Sequence, residues 1–254
     1  MTCWRPGRAA HLLARAAART STLGWRHDRS FRDREQPSQV LRHAYEAFSA
    51  VVVRLDGEES WLPTRCVGWA VRDLIFHCLG DAQRGLVALH TPSPGPTDRD
   101  AVTYWQDWRP DTAGAANGRR WARVSAGMFL DFDQLRDLYL ETAAAAVTAA
   151  ERADPARVVA TQGHVLTAGD LMTTLAVEAT VHHLDLTTGL PTAPAPSPSA
   201  LSSVRSTLDG LLGRAVPVAW DDEHYALAAT GRVPLTDAER QALGADAARL
   251  PLFG

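Results

Sequence analysis

Residues 171–189, LMTTLAVEATVHHLDLTTG, restrict the possible folds of this chain more than any other stretch. Neither Pro nor Gly interrupts the run before Gly189, and Gly189-Leu190-Pro191 is a strong helix stop. Within it Glu178 and His182 stand four residues apart, so they project from one helix face about 40° apart. Leu171, Leu175 and Asp185 fall within about 60° of Glu178 on the same wheel, and His183 falls well away. A carboxylate and an imidazole inside an apolar stripe need partners, because burying them unpaired is costly. A divalent cation would satisfy both. An ordinary i,i+4 polar pair is the other reading of the same spacing.

A third ligand must come from elsewhere. The second strongly helical stretch is residues 70–90, AVRDLIFHCLGDAQRGLVALH. Its apolar stripe is Val71, Leu74, Ile75, Cys78 and Leu79, and His77 sits on the flank with Asp73 and Asp81 four residues to either side. Asp81 is placed to orient the imidazole. Cys78 points about 100° away from His77 and reads as a small buried hydrophobe.

Composition closes off several classes. A 46% hydrophobic content supports a real core, and a net charge of −3 gives no reason to expect a polyanionic partner. The chain has no Lys; its 26 basic residues are all Arg, which points to a GC-rich, hypothetically actinobacterial, coding bias. Beyond residue 36 these Arg are scattered, without the basic-aromatic interleaving of a nucleic-acid surface. Three irregularly spaced Cys argue against a disulfide framework and fit a reducing cytoplasm. No apolar run reaches the roughly 18 residues a membrane span needs.

Residues 1–36 carry eight Arg against Asp28, Asp33 and Glu35. They read as a disordered extension, with some features of a transit peptide. Residues 37–191 read as a metal-binding four-helix bundle. Its helices are expected near 38–55 (capped by Ser38), 70–89, 131–155 and 168–189, the last capped by Thr167. Residues 158–167 are β-prone. Residues 192–200, TAPAPSPSA, read as a linker. Residues 201–254 read as a small α/β domain: a helix over 201–212, strands at 216–220 and 225–230, and a last helix opened by the capping box Thr236-x-x-Glu239.

The segment WLPTRCVGWAVRDLIFHCLGD resembles the W-x-x-P-T-x-C-x-G-W-x-V-x-D-L-x-x-H motif of the mycothiol-dependent maleylpyruvate isomerase family, within the DinB-like superfamily. VEATVHHLDL resembles that family's E-x-x-x-H-x-x-D-L motif, and AWDDEHYALAATGRVPLTDAERQALG with the terminal LPLFG resembles its C-terminal region. The resemblance covers about residues 38–254. It implies a mainly α fold, a DinB-like four-helix bundle followed by a small α/β C-terminal domain. It also implies a divalent metal, usually zinc, held by His77, Glu178 and His182, with mycothiol as the thiol cosubstrate. Two imidazoles and one carboxylate would leave zinc an open position for that thiol. The implied activity is that of a cis-trans isomerase or S-transferase acting on a small electrophile that can bear a carboxylate. Arg232, in the turn Thr230-Gly231-Arg232, is the expected catalytic cation clamping such a carboxylate, with Arg84 as the alternative. Trp69, Trp105 and Trp108 are candidates to wall the pocket. The expected partners are therefore a small-molecule thiol and electrophile, with no nucleic acid and no membrane, in a monomer or homodimer. A non-catalytic metal-binding or regulatory protein of the same fold is the competing expectation.

Overall fold

The computed structural model describes residues 35–108 and 113–254. The expected extension at 1–36 therefore lies, but for its last two residues, outside the described residues. The elements run α1 (Pro37–Val52), α2 (Val71–His90), α3 (Ala113–Ala126), α4 (Phe132–Arg152), β1 (Val158–Thr161), β2 (His164–Thr167), α5 (Ala168–Leu186), α6 (Pro198–Leu212), α7 (Asp222–Ala229) and α8 (Asp237–Leu243). The fold is mainly helical: α1, α2, α4 and α5 pack as a four-helix bundle, with α3 outside α2 and α6 against α5 and α1.

Local chemistry sets the ends of these helices. The first starts one residue before the expected Ser38, because Pro37 with its fixed φ takes the first helical position; the Gln36 amide donates to the Gln39 side chain at 3.3 Å. The Ala70 amide donates to Asp73 Oδ2 at 2.9 Å to open α2. Thr167 Oγ1 accepts the Asp170 amide at 3.0 Å, so α5 begins at the expected cap. Just before it, β1 and β2 form an antiparallel hairpin in which Val159 faces Leu166. Its turn residues Gln162 and Gly163 both have positive φ, at 51° and 83°, as a two-residue hairpin requires.

This hairpin is the two-stranded sheet of the described residues, and the strands expected at 216–220 and 225–230 are not formed. Tyr225 to Ala229 belong to α7 instead. Asp221 Oδ1 accepts the His224 amide at 2.7 Å, and Asp222 and Glu223 fill the first turn, so capping and the favourable helix-end charge outweigh β-propensity here. The expected capping box at Thr236 and Glu239 is present and opens α8. Residues 35–254 pack as one compact unit.

Two apolar clusters share α5. The bundle core includes Leu41, Phe48, Leu74, Ile75, Leu135 and Met172, all essentially inaccessible. The second cluster joins Val177, Val181 and Leu184 of α5 to Val204, Leu208 and Tyr225. So α5 is buried on two sides, as expected of a helix apolar nearly all round. On the helical wheel Glu178, His182 and Asp185 lie along the seam between these sides.

Candidate metal centre

The structure brings His77, Glu178 and His182 together. Their ligand atoms all lie within 4.8 Å of one another. His77 Nε2 is 3.0 Å from Glu178 Oε1, and His182 Nε2 is 3.5 Å from the same oxygen. The two rings stand edge to face at 84°, with centroids 4.8 Å apart. One nitrogen from each ring thus converges on one carboxylate oxygen across a contact that spans 101 residues of sequence. The donor set suits a borderline divalent ion such as zinc. His77 and Glu178 keep about a quarter of their side-chain surface exposed, whereas His182 is buried, so the cluster opens to solvent on the side of α2.

Behind the triad lies a second arrangement. His182 Nδ1 is 2.9 Å from Asp185 Oδ2, and Asp185 is fully buried. A singly protonated His182 would keep its proton on Nδ1 toward Asp185 and leave the Nε2 lone pair for a metal ion; toward the Glu178 carboxylate itself Nε2 acts as a donor. Arg232 donates through Nε and Nη2 to Asp185, at 2.9 to 3.1 Å, and through Nη1 to the Thr230 carbonyl at 3.2 Å. Cys66 Sγ donates to Asp185 Oδ2 at 3.1 Å and lies 3.7 Å from His182 Nδ1. The loop that carries Cys66 is tied to α5 by the Arg65 amide on the Asp185 carbonyl, at 3.2 Å. It turns at Gly68, whose φ of 82° favours a residue without Cβ, and closes with the Trp69 amide on the Cys66 carbonyl.

The electrostatics follow from these contacts. Burial raises the Asp185 carboxyl, yet Arg232 and His182 together hold it far below the ordinary carboxylate range. Burial opposes charge on His182, but its bonds to Asp185, Cys66 and Glu178 outweigh that and lift its pKa well above the usual value. His77 moves the other way, because burial prevails over its bond to Glu178. Glu178 is pushed up by burial and pulled further down by both imidazoles. Cys66 and Cys78 are raised by burial, Cys78 to about 12, so neither is an activated thiolate.

The remaining expected residues are spread out. Trp69 lines the triad, its ring 5.2 Å from His77 and 6.3 Å from His182. Trp105 stacks on Phe253 at 4.3 Å in the second cluster, and Trp108 is partly exposed beside Tyr104. His183 Nε2 bonds the Pro194 carbonyl. Asp81 does not back the imidazole from its far nitrogen. Its Oδ2 lies 3.2 Å from His77 Nε2, the nitrogen that faces Glu178. Its Oδ1 accepts from Arg84. Arg232 is not free to clamp a carboxylate, since Asp185 already occupies its fork. Sequence reasoning placed Asp185 on the right face but missed Cys66 and the Asp185–Arg232 pair. The i,i+3 spacing of His182 and Asp185 was the available signal.

A family model described as the mycothiol maleylpyruvate isomerase N-terminal domain matches residues 41–187, more than half of the chain. Among solved structures, the crystal structures of a mycothiol-dependent maleylpyruvate isomerase and of a histidine-to-alanine mutant of it are similar. Each is 20% identical with a TM-score of 0.49, and each match covers 68% of this chain and 66% of that chain. The chain thus spans slightly under two thirds of those structures. No match was found among curated proteins. On the strength of the domain match, the chain belongs to the mycothiol maleylpyruvate isomerase N-terminal domain family.

Proposed function

We propose that this chain is a metal- and mycothiol-dependent enzyme, a cis-trans isomerase or S-transferase acting on a small electrophile. The convergence of both imidazole Nε2 atoms on Glu178 Oε1 carries the reading. His77, Glu178 and His182 would hold the ion. When bound, the metal supplies an open position at which a thiol loses its proton near neutral pH. The thiol supplies reversible conjugate addition, which turns a cis double bond into a single bond free to rotate before the thiol leaves.

The protein's own groups do the rest. Asp185 keeps the proton of His182 on Nδ1, and Arg232 acts through Asp185 as a positioning residue rather than on substrate. Cys66 adds a third donor to the same carboxylate. Trp69 covers both imidazoles and restricts water on that side. A thiol would approach from the side on which His77 and Glu178 keep about a quarter of their side-chain surface exposed. No helix among the described residues is long and apolar enough to cross a membrane.

The test is metal content followed by turnover. Purified protein should carry about one equivalent of divalent metal, as a single mononuclear site requires. It should convert maleylpyruvate, or couple mycothiol to 1-chloro-2,4-dinitrobenzene, only when thiol is present. His77→Ala and His182→Ala should lose both metal and rate. Equal metal in all three proteins would reject the ligand set. Metal without any thiol-dependent rate would favour a binding or regulatory protein.

A further inference from the structure

We propose that Arg84 is the specificity-determining residue of this site, selecting electrophiles that carry a carboxylate over neutral ones. The inference rests on the thiol-dependent reading above and assigns the cation that reading left open.

Arg84 follows His77 by seven residues, about two turns, so both leave the same flank of α2. Long side chains on a helix lean toward its N-terminus, and Arg84 does so, reaching Asp81 one turn back. The other oxygen of Asp81 lies 3.2 Å from His77 Nε2. A single carboxylate therefore already bridges the Arg84 guanidinium to a nitrogen of the candidate metal centre. Asp81 shows that one carboxylate can span this gap. Its Oδ2 is buried without a well-aligned hydrogen bond of its own, so the geometry is not closed upon itself.

Availability separates Arg84 from Arg232. The Arg232 side chain is 13% exposed and grips a carboxylate with no exposure at all. The Arg84 side chain is 40% exposed and meets Asp81 through one nitrogen, Nη2, leaving the other edge of the fork for a second anion. Its field also reaches the rest of the site. It opposes protonation of His77, where burial is the larger cause, and it pulls down the Tyr104 hydroxyl that burial and Glu178 push up.

Charge balance explains why such a cation is required. A divalent ion would be neutralised by Glu178 and Asp81, as Asp185 is by Arg232. A bound thiolate would then leave an excess negative charge, which would repel an anionic electrophile at short range. Arg84 cancels that excess. A neutral electrophile needs no such help.

The experiment compares zinc-loaded parent protein with Arg84→Gln and Arg84→Lys. With mycothiol present, kcat/KM is measured for maleylpyruvate and for 1-chloro-2,4-dinitrobenzene. The anionic-to-neutral ratio should fall about 5-fold in Arg84→Gln, the upper end for a pair whose cation is solvent-exposed. The fall should lie mainly in KM, and Arg84→Lys should recover part of it. Added salt should weaken the parent's preference and leave the Gln variant's ratio nearly flat. An unchanged ratio, or equal losses on both substrates, would overturn the proposal. Calorimetric titration with succinate separates this outcome from failure of the enzymatic reading. If no protein turns over either electrophile, weaker succinate binding by Arg84→Gln than by parent still supports an anion site at Arg84, and equal binding refutes it.

Discussion

The two sides of the triad hold the same pair of residue types and use them in opposite ways. On the inner side Arg232 meets Asp185, fully buried, beneath His182. On the outer side Arg84 meets Asp81 beside His77, with the guanidinium 40% exposed. Burial makes the difference. In the interior each charge is so poorly solvated that its partner becomes indispensable, and the pair acts as a fixed support for His182, the proposed metal ligand. At the rim, water and salt weaken the same attraction until one partner can be exchanged for a substrate group. An arginine near a metal site is thus not a substrate clamp by virtue of its type; what its fork already holds decides its role.

The largest expected effect comes from breaking the inner pair. Arg232→Leu strands the Asp185 carboxylate, which should destabilise the apo-protein by about 3–5 kcal/mol. It should also weaken metal binding by about 10–100-fold, since His182 loses its fixed support. Thermal or urea unfolding and a competitive zinc titration would show both. Removing the two charges together, in Arg232→Leu with Asp185→Leu, should cost less stability than removing Arg232 alone. A double variant as unstable as the sum of its parts would mean that the pair is not the cause. Arg84→Gln should cost less than Arg232→Leu, because water can replace the exposed guanidinium and the buried Asp81 carboxylate keeps His77 beside it.

A smaller effect sharpens the same contrast. Cys66→Ala deletes one of the donors to Asp185 while leaving Arg232 and His182 in place. A stability loss of about 1 kcal/mol is expected, with Cys66→Ser closer to the parent because it keeps a donor. If Cys66→Ala instead abolished thiol-dependent turnover at full metal occupancy, Cys66 would be a participant in the chemistry and not a support.

How much of this was legible in the sequence depended on the range of the interaction. The four-residue spacing of Glu178 and His182, the Thr167 cap and the Thr236–Glu239 box are local, and each stands where the spacing put it. His77 lies 101 residues from Glu178, so its part in the cluster was readable only as a flank position on a second helix and through the family resemblance. The Asp185–Arg232 pair joins residues 47 apart whose meeting depends on how α7 and the turn after it pack on α5, and nothing in either segment announces that. The strands expected at 216–220 and 225–230 failed for a different reason. The DDEH stretch reads as a turn between two strands, but Asp221, Asp222 and Glu223 open a helix, and local capping prevailed over residues 225–229.

Glu239 offers the smallest and most local test of the idea that surroundings, not residue type, decide what a carboxylate does. Like Asp185 it is held low, to about 2 from an ordinary 4.5, but by neighbours on the surface. Its Oε2 accepts the Thr236 amide and hydroxyl, each at 2.7 Å, and its Oε1 pairs with His224 Nε2 at 2.6 Å. The folded-state pKa lies below the unfolded one, so the stabilisation is complete above about 4.5 and drains away as pH falls toward about 2. Unlike the Asp185 network, this loss should stay local to the first turn of α8 and its contact with His224 of α7, while the bundle and the His77, Glu178, His182 cluster are supported elsewhere. The Thr236 amide, followed by nuclear magnetic resonance through the acid range, should titrate near 2 in the parent. In Glu239→Gln its acid titration should vanish, because the amide oxygen can still accept the cap bond but does not ionise. A parent midpoint at the ordinary 4.5 would show that the capping box does not hold this carboxylate in solution, and that surface contacts of good geometry are weaker than the comparison with Asp185 allows.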